Sequence, residues 1–388
     1  MARESESKLK IDKIYVYPIK ALRAVELPSA QVTKHGFPHD RRFMLLHVVR
    51  DAQDDAKITY KNIHVAHYPE SVRFFPSLDL QGDLVTITHR PAANGGAEKS
   101  IDVPLYPYID DLKVVDVEMH QSPVQAYQMP QQYNDWLTEC YGFEVVLAYL
   151  GPNYRPIRFN GLKNKDSSNN RNGNASSSAA SSWLSTATSL LLPSALHPTP
   201  TNPPPSPEIT FADCAPYLLV SQTSADDLQP RLPATSPPFD ILKFRPNIVI
   251  SGAGEPWEED FWSQITILPQ SSDSSSSFIS TKIDCVHNCG RCKSINIDYT
   301  TGAPGTGPEG AILKAMQKDR RVDPGMKYSP IFGRYSFLHH DDDADGDDED
   351  GGGGSEGNVI HVGDRVVVSK RLEERSRFEK VFIFWFLG

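Results

Sequence analysis

CVHNCGRCKSINIDYTTG, residues 285–302, places three of the chain's five cysteines in its first eight positions. Arg291 and His287 stand among them, and positive neighbours lower a thiol's pKa towards the thiolate, the nucleophilic and metal-binding form. The spacing C-x3-C-x2-C fits a three-thiolate iron–sulfur site, but Arg291 stands where such sites carry an aromatic residue. Too little chain follows Cys292 to build the barrel such sites need. Zinc usually takes four ligands; His287 or a distant residue would have to supply the fourth, and there is no second C-x2-C pair. A loop with one packed cysteine and two idle ones has the same spacing. On the cluster alone these readings stay open.

The five cysteines make an odd total, which does not form a disulfide framework, and the expected compartment is the cytosol. A length of 388 residues suggests two or three domains at about 100–200 residues each. There are 39 Lys and Arg against 49 Asp and Glu, a net charge of −10, and eight of the acids fall within residues 341–350. The rest is close to neutral with no basic stripe, which argues against a partner in duplex nucleic acid. No run of eighteen apolar residues exists, so no membrane span is expected. The start, MARESESKLK, resembles neither a secretory signal nor a presequence. A soluble cytoplasmic protein, monomeric in solution, is the expectation.

Composition shifts divide the chain. Residues 1–10 read as a polar tail, and 163–207 as a low-complexity insertion, rich in Asn and Ser and then Pro, that cannot offset its ordering entropy. Residues 271–277 read as an enlarged hairpin loop, 341–357 as an acidic, Gly-rich loop, and 371–388 as a tail ending in VFIFWFLG. Between them lie short strand-like runs at 13–18, which alternates, and at 25–32, 42–49, 84–88, 144–149, 216–220, which is apolar throughout, and 247–250, with a strand–turn–strand at 359–368. Helices are expected at 133–140, 224–228 and 309–318. Many short strands with few helices predict a mainly β (α+β) protein with two barrel-like parts, residues 11–155 and 208–370.

The flanking sequence carries a resemblance. CGRC (289–292) with the following IDYTTG is similar to the signature of the MOSC family, named for the C-terminal domain of molybdenum-cofactor sulfurase. FADCAPYLLVS (211–221), FRPNIVISG (244–252), PWEEDFW (256–262), SPIFGRY (329–335) and VGDRV (362–366) resemble further segments of that domain. YVYPIK (15–20) and DRRFM (40–44) resemble the family's N-terminal β-barrel. The order of these motifs resembles the stand-alone molybdenum enzymes that reduce N-hydroxylated compounds, including the mitochondrial amidoxime-reducing component.

The resemblance implies a molybdenum cofactor whose metal is held by a pterin dithiolene and by one protein thiolate, Cys292, the catalytic position. Soft thiolate suits such a sulfur-ligated centre. It assigns cofactor contacts to Lys20, Arg41, Arg245 and Asn247, and to Gly290 and Arg291 beside the ligand. Asp298 is expected to serve the turn before Thr301 and Gly302. Two departures stand out: Ala21 replaces the serine usual after the lysine, and Gly290 replaces a serine of close relatives. Each removes a hydrogen bond worth roughly 1 kcal/mol. The implied reaction is oxygen-atom transfer from an N–OH or N-oxide group of a small substrate. No GxGxxG or haem motif is present, so electrons are expected from partners, as relatives use cytochrome b5 and its NADH-dependent reductase. The alternative is a sulfur or persulfide carrier, or a cofactor carrier, without turnover; pyridoxal phosphate enters only through the family's separate sulfurase domain.

Overall fold

The computed structural model describes residues 8–54, 57–92, 96–157, 207–270, 280–339 and 358–378. The readings of residues 1–7, of 163–206, of the hairpin loop at 271–277, of the acidic loop at 341–357 and of VFIFWFLG lie outside these residues.

The chain opens with β1 (Lys10–Val16), β2 (Val25–Leu27), β3 (Ser29–Gln31), β4 (Phe43–Arg50), β5 (Ile58–Asn62), β6 (Phe74–Asp79), β7 (Leu84–His89), β8 (Lys99–Pro104), β9 (Val114–Met119) and β10 (Ser122–Gln128). Helix α1 (Gln131–Tyr141), β11 (Val145–Tyr149) and the short β12 (Arg155–Pro156) follow. Strands β5-β4-β11-β10-β9 form one antiparallel sheet and β6-β7-β8 a meander. Both turn apolar residues, among them Phe43, Leu45, Val85, Ile87, Val103 and Leu147, into a core that α1 covers with Tyr133, Leu137 and Tyr141. Gly142 ends α1 in the left-handed conformation at φ 76°, where glycine carries no Cβ penalty.

The later part contains β13 (Glu208–Ile209), β14 (Tyr217–Ser221), α2 (Gln222–Asp226), β15 (Ile248–Ser251), β16 (Trp262–Leu268), β17 (Thr281–Gly290), β18 (Ile297–Asp298), β19 (Ala303–Pro304), α3 (Ile312–Gln317), β20 (Ile331–Leu338), β21 (Val359–His361) and β22 (Arg365–Arg371). The order β15-β14-β20-β17-β16-β22-β1 closes on itself because β1 also pairs with β15. The result is a seven-stranded closed barrel. The molecule is therefore mainly β with three short helices among the described residues, as its many strand-like runs imply.

Two departures from the sequence reading position the site. Residues 11–155 were assigned to one N-terminal barrel, yet β1 belongs to the barrel of the later segment. It pairs with β15 along Lys10–Ile14 and meets β22 at Arg365, and its Ile11, Ile14 and Val16 fill that barrel's interior. Alternation shows that a stretch is a strand; it does not name the strand's partner. Residues 372–378, assigned to a tail, are likewise built into the fold. Phe378 is buried and donates its backbone N–H to Asp323 at 3.1 Å.

Candidate functional site

The cysteine segment runs along the second half of β17, which carries Cys285 and Cys289, into the turn after it, which Cys292 opens. Two irregularities interrupt its pairing with β20, between Cys285 and His287 and between Asn288 and Gly290. A bulge reverses which face later residues present. Cys285 consequently packs inside the barrel, while Cys289 packs in a separate cluster with Phe244, Ile295 and Phe332. Burial pushes both thiols above their ordinary range. The three thiols do not converge, and among the described residues no group of three or more His, Cys, Asp or Glu is placed to hold a metal ion. The three-thiolate and zinc readings fall on this geometry.

Cys292 is different. It is partly exposed and starts the 3-10 turn Lys293–Asn296, with its Sγ 3.2 Å from Ser294 Oγ. Arg291 does not lie open beside it. Its buried guanidinium donates through Nε and Nη2 to the Phe332 carbonyl at 2.9 and 2.5 Å, and through Nη1 to the Phe244 carbonyl at 2.8 Å. It thereby fixes the end of β17 against β20 and against the turn that presents Arg245. At Gly290 a Cβ would come 2.5 Å from Met326 Sδ, so Met326 occupies the space of a side chain and only backbone is available there.

Arg41, Arg245 and Asn247 come together. Arg41 donates to Asp40 Oδ2 at 2.5 Å and to Asn247 Oδ1 at 3.2 Å. Arg41 and Arg245 both stack on the Tyr17 ring, at 4.5 and 4.4 Å. Both adopt the left-handed backbone, φ 51° and 55°, as does Ala21 at 76°; such strain in residues other than glycine gathers at functional sites. Arg245 Nη1 reaches the Leu22 carbonyl at 2.9 Å, but its Nη2 and the Tyr17 hydroxyl are buried without a hydrogen-bond partner among the described residues. A buried guanidinium N–H without an acceptor is costly; an anion beside it would supply one. Asn247 serves the framework too, accepting from Leu218 N–H and donating to the Tyr15 carbonyl. The turn that carries Arg245 packs against the turn that Cys292 opens, so the cationic cluster and the open thiol are neighbours.

Lys20 is buried and bonds the Phe211 carbonyl at 3.0 Å and the Asp213 carboxylate. Burial pulls its ammonium down against the opposing pull of Asp213. Asp213, whose side chain keeps 58% exposure, was not singled out from sequence although its F-A-D segment was. Burial pushes its carboxyl up; Lys20 and His120 more than reverse this and hold it well below the usual carboxylate range. Asp298 takes the expected structural role, accepting from Thr300 N–H and Thr301 Oγ1, both at 2.8 Å. A cavity of about 470 Å³ beside His35, His39, Arg42 and Tyr154 lies apart from Cys292, and no sequence signal marked it.

Fold and site together define a two-part β protein with an open cysteine beside a buried, partly unsatisfied cluster of cations. Residues 8–143 match the MOSC N-terminal beta barrel domain and residues 206–367 the MOSC domain. The chain belongs to the MOSC family and carries both of its domains. It is 24% identical to mitochondrial amidoxime-reducing component 1 of Danio rerio, over 84% of this chain and 79% of that protein. It is 23% identical to the molybdenum cofactor sulfurase of Aspergillus oryzae, over 86% of this chain but 38% of that one. A shorter match, 32% identical over 33% of this chain and 34% of the relative, joins it to mitochondrial amidoxime reducing component 2 of Rattus norvegicus. The chain thus spans less than half of the sulfurase it resembles. Among the described residues no helix is long and apolar enough to cross a membrane.

Proposed function

We propose that this chain binds a molybdenum–pterin cofactor and reduces N-hydroxylated or N-oxide compounds. The observation that carries the reading is the unpartnered Arg245 Nη2 beside Arg41, on a turn packed against the one that presents the partly exposed Cys292. The residues fit the group. Cys292 would supply the protein thiolate, and Arg245, Arg41 and Lys20 the positive charge for its phosphate, with Asn247 holding Arg41 in place. Guanidinium forks suit phosphate oxygens in number and geometry. Arg291 and the backbone at Gly290 would set the direction of the ligand sulfur. When bound, the cofactor supplies the two-electron acceptance of an oxygen atom. The chain supplies orientation and a bracket around the thiolate. Electrons would come from a cytochrome b5-type donor and its NADH-dependent reductase, in keeping with the amidoxime-reducing relatives.

A second reading, a persulfide or cofactor carrier, draws on the sulfurase match and on the same open thiol. One experiment separates them. Molybdenum and pterin are measured in purified wild-type protein and in Cys292→Ser, alongside turnover of benzamidoxime with a reduced viologen. Metal-dependent turnover in the wild type and loss of molybdenum from Cys292→Ser are expected. Equal molybdenum in both proteins removes the ligand assignment, and stoichiometric persulfide transfer without turnover favours the carrier.

A further inference from the structure

The cavity of about 470 Å³ that lies apart from Cys292 falls within the size range of small-molecule sites, and the cofactor reading makes no use of it. One stretch, residues 39–42, serves both places. Asp40 accepts from the Tyr17 backbone N–H at 2.7 Å and Arg41 donates to Asn247, whereas His39 and Arg42 line the cavity. His39 stands there with a left-handed backbone, φ 65°, a strain that non-glycine residues carry most often at functional sites.

The walls are largely rings. The His35 imidazole stacks on Tyr154, with centroids 3.7 Å apart and planes at 14°. The Arg42 guanidinium lies over the same Tyr154 ring at 5.1 Å. His39 meets Tyr106 edge-on at 5.6 Å, and Tyr106 lines the cavity while its residue stays 63% exposed. Tyr149 adds a further ring. Such faces and edges favour a flat aromatic guest over a saturated one.

The charge of the lining is equally specific. No carboxylate lines the cavity, and Arg42 is its one guanidinium. Arg42 Nη2 is committed to the Gly151 carbonyl, but its Nε and Nη1 meet no acceptor among the described residues. The imidazoles add no second charge at pH 7. The Glu208 carbonyl can only accept, so His35 Nδ1 carries the ring proton in the 3.0 Å bond between them. Burial pulls His35 below its ordinary range against that bond, with Lys34 and Arg42 adding to the fall. Burial likewise pulls His39 down against the opposing pull of Asp83, with Arg42 adding to the fall. A neutral aromatic box with a single cation matches a monoanion.

We propose that this cavity is a second ligand site and that it takes a planar aromatic carboxylate, its ring lying among the tyrosines and its carboxylate accepting from the uncommitted N–H groups of Arg42. The site is independent of the reductase reading and stands whether or not Cys292 holds a metal.

The test titrates naphthoate into the full-length protein by calorimetry, beside naphthamide, decalin carboxylate and naphthyl phosphate. Naphthoate should bind once per chain. The amide, which lacks the charge, and the saturated acid, which lacks the flat ring, should each bind about tenfold more weakly. Naphthyl phosphate should bind no more tightly than naphthoate. Arg42→Gln should bring naphthoate down to the affinity of the amide and leave the amide unchanged, a selective loss that a bracing role for Arg42 would not give. Because Arg42 also holds the Gly151 carbonyl, the exposed Tyr106 supplies a second variant: Tyr106→Ala should keep the wild-type melt and weaken naphthoate and the amide alike. Nuclear Overhauser contacts from the naphthalene protons to the His35 and Tyr154 rings should locate the guest. Absence of saturable naphthoate binding, equal affinity for naphthoate and the amide, or contacts to Tyr17 in place of Tyr154 overturns the site. Tighter binding of naphthyl phosphate overturns the carboxylate assignment.

Discussion

Arg291 and Arg245 are joined through one carbonyl-bearing turn yet carry opposite loads. Arg291 has committed Nε, Nη1 and Nη2 to backbone carbonyls, whereas Arg245 keeps Nη2 without an acceptor. Lysine cannot reproduce a planar fork, so Arg291→Lys should cost about 2–3 kcal/mol in urea unfolding, from lost charge-assisted bonds. Arg245→Gln should stay within about 1 kcal/mol of wild type but retain less molybdenum. A large stability loss in Arg245→Gln would mean that this side chain holds the fold and not a ligand. Glu259 makes a separate prediction. It is fully buried, its Oε2 accepts from Ser224 Oγ at 2.7 Å and its Oε1 has no partner among the described residues. Burial pushes its carboxyl from 4.5 up to about 7, against the Ser224 hydrogen bond. Because the folded state binds the proton more tightly, the contribution of Glu259 to stability is fully present below about pH 4.5 and is lost as pH rises through about 7. Above that the charged form costs about 3 kcal/mol. Glu259→Gln should therefore match wild type near pH 4.5 and exceed it at pH 8, as read by denaturant melts at both pH values.

The element that sequence reasoning left as a tail is the strap at 372–378. Arg375 Nε bonds the buried Asp260 at 2.8 Å, and Ser376 accepts from Asn288 and from Arg334. Gly325 has no Cβ, and one there would overlap the Phe378 carbonyl. The strap thus braces β17 and β20, the two strands behind the cysteine turn. Deleting residues 372–388 should destabilise the protein by roughly 3–5 kcal/mol, since several bonds to buried charged groups are lost together; Ser376→Ala should cost only about 1 kcal/mol. Matching urea midpoints for full-length and truncated chains would show that the strap is a passenger. Nothing in its polar sequence signals this, because its partners at 260, 288, 323 and 334 are distant along the chain. Strands written as short apolar or alternating runs, such as β4, β7 and β11, were legible, as was α1 with its closing glycine. β17 was not. No strand was expected there, a loop being one of the readings its cysteines left open, and the two irregularities that send Cys285 and Cys289 to different cores are set by pairing with β20. Lys20, Arg41, Arg245 and Asn247 were legible through resemblance, while Asp213 carried no separate mark because its ion pair with Lys20 joins segments far apart along the chain.

At the scale of the whole molecule the two halves are interleaved. β1 closes the barrel of the later segment, then the chain leaves it to deliver Arg41 back against Asn247 and Lys20 against Asp213. Without β1 the barrel would expose the edges of β15 and β22, a template for aggregation. It would also lose the burial of Leu9, Ile11, Ile14 and Val16. At about 1.5–3 kcal/mol for each large apolar side chain, that loss is of the same order as the entire stability of a typical domain, about 5–15 kcal/mol. A fragment of residues 206–378 should therefore be unfolded or aggregated by circular dichroism and size-exclusion chromatography, and co-expression with residues 8–157 should return it to a soluble, β-rich complex. The same complementation should restore a Cys292 site backed by Lys20 and Arg41, because those cations arrive on the chain that carries β1. A cooperative melt from the isolated 206–378 fragment would refute the shared-strand account and would make the later barrel a unit to which the cationic half is merely docked.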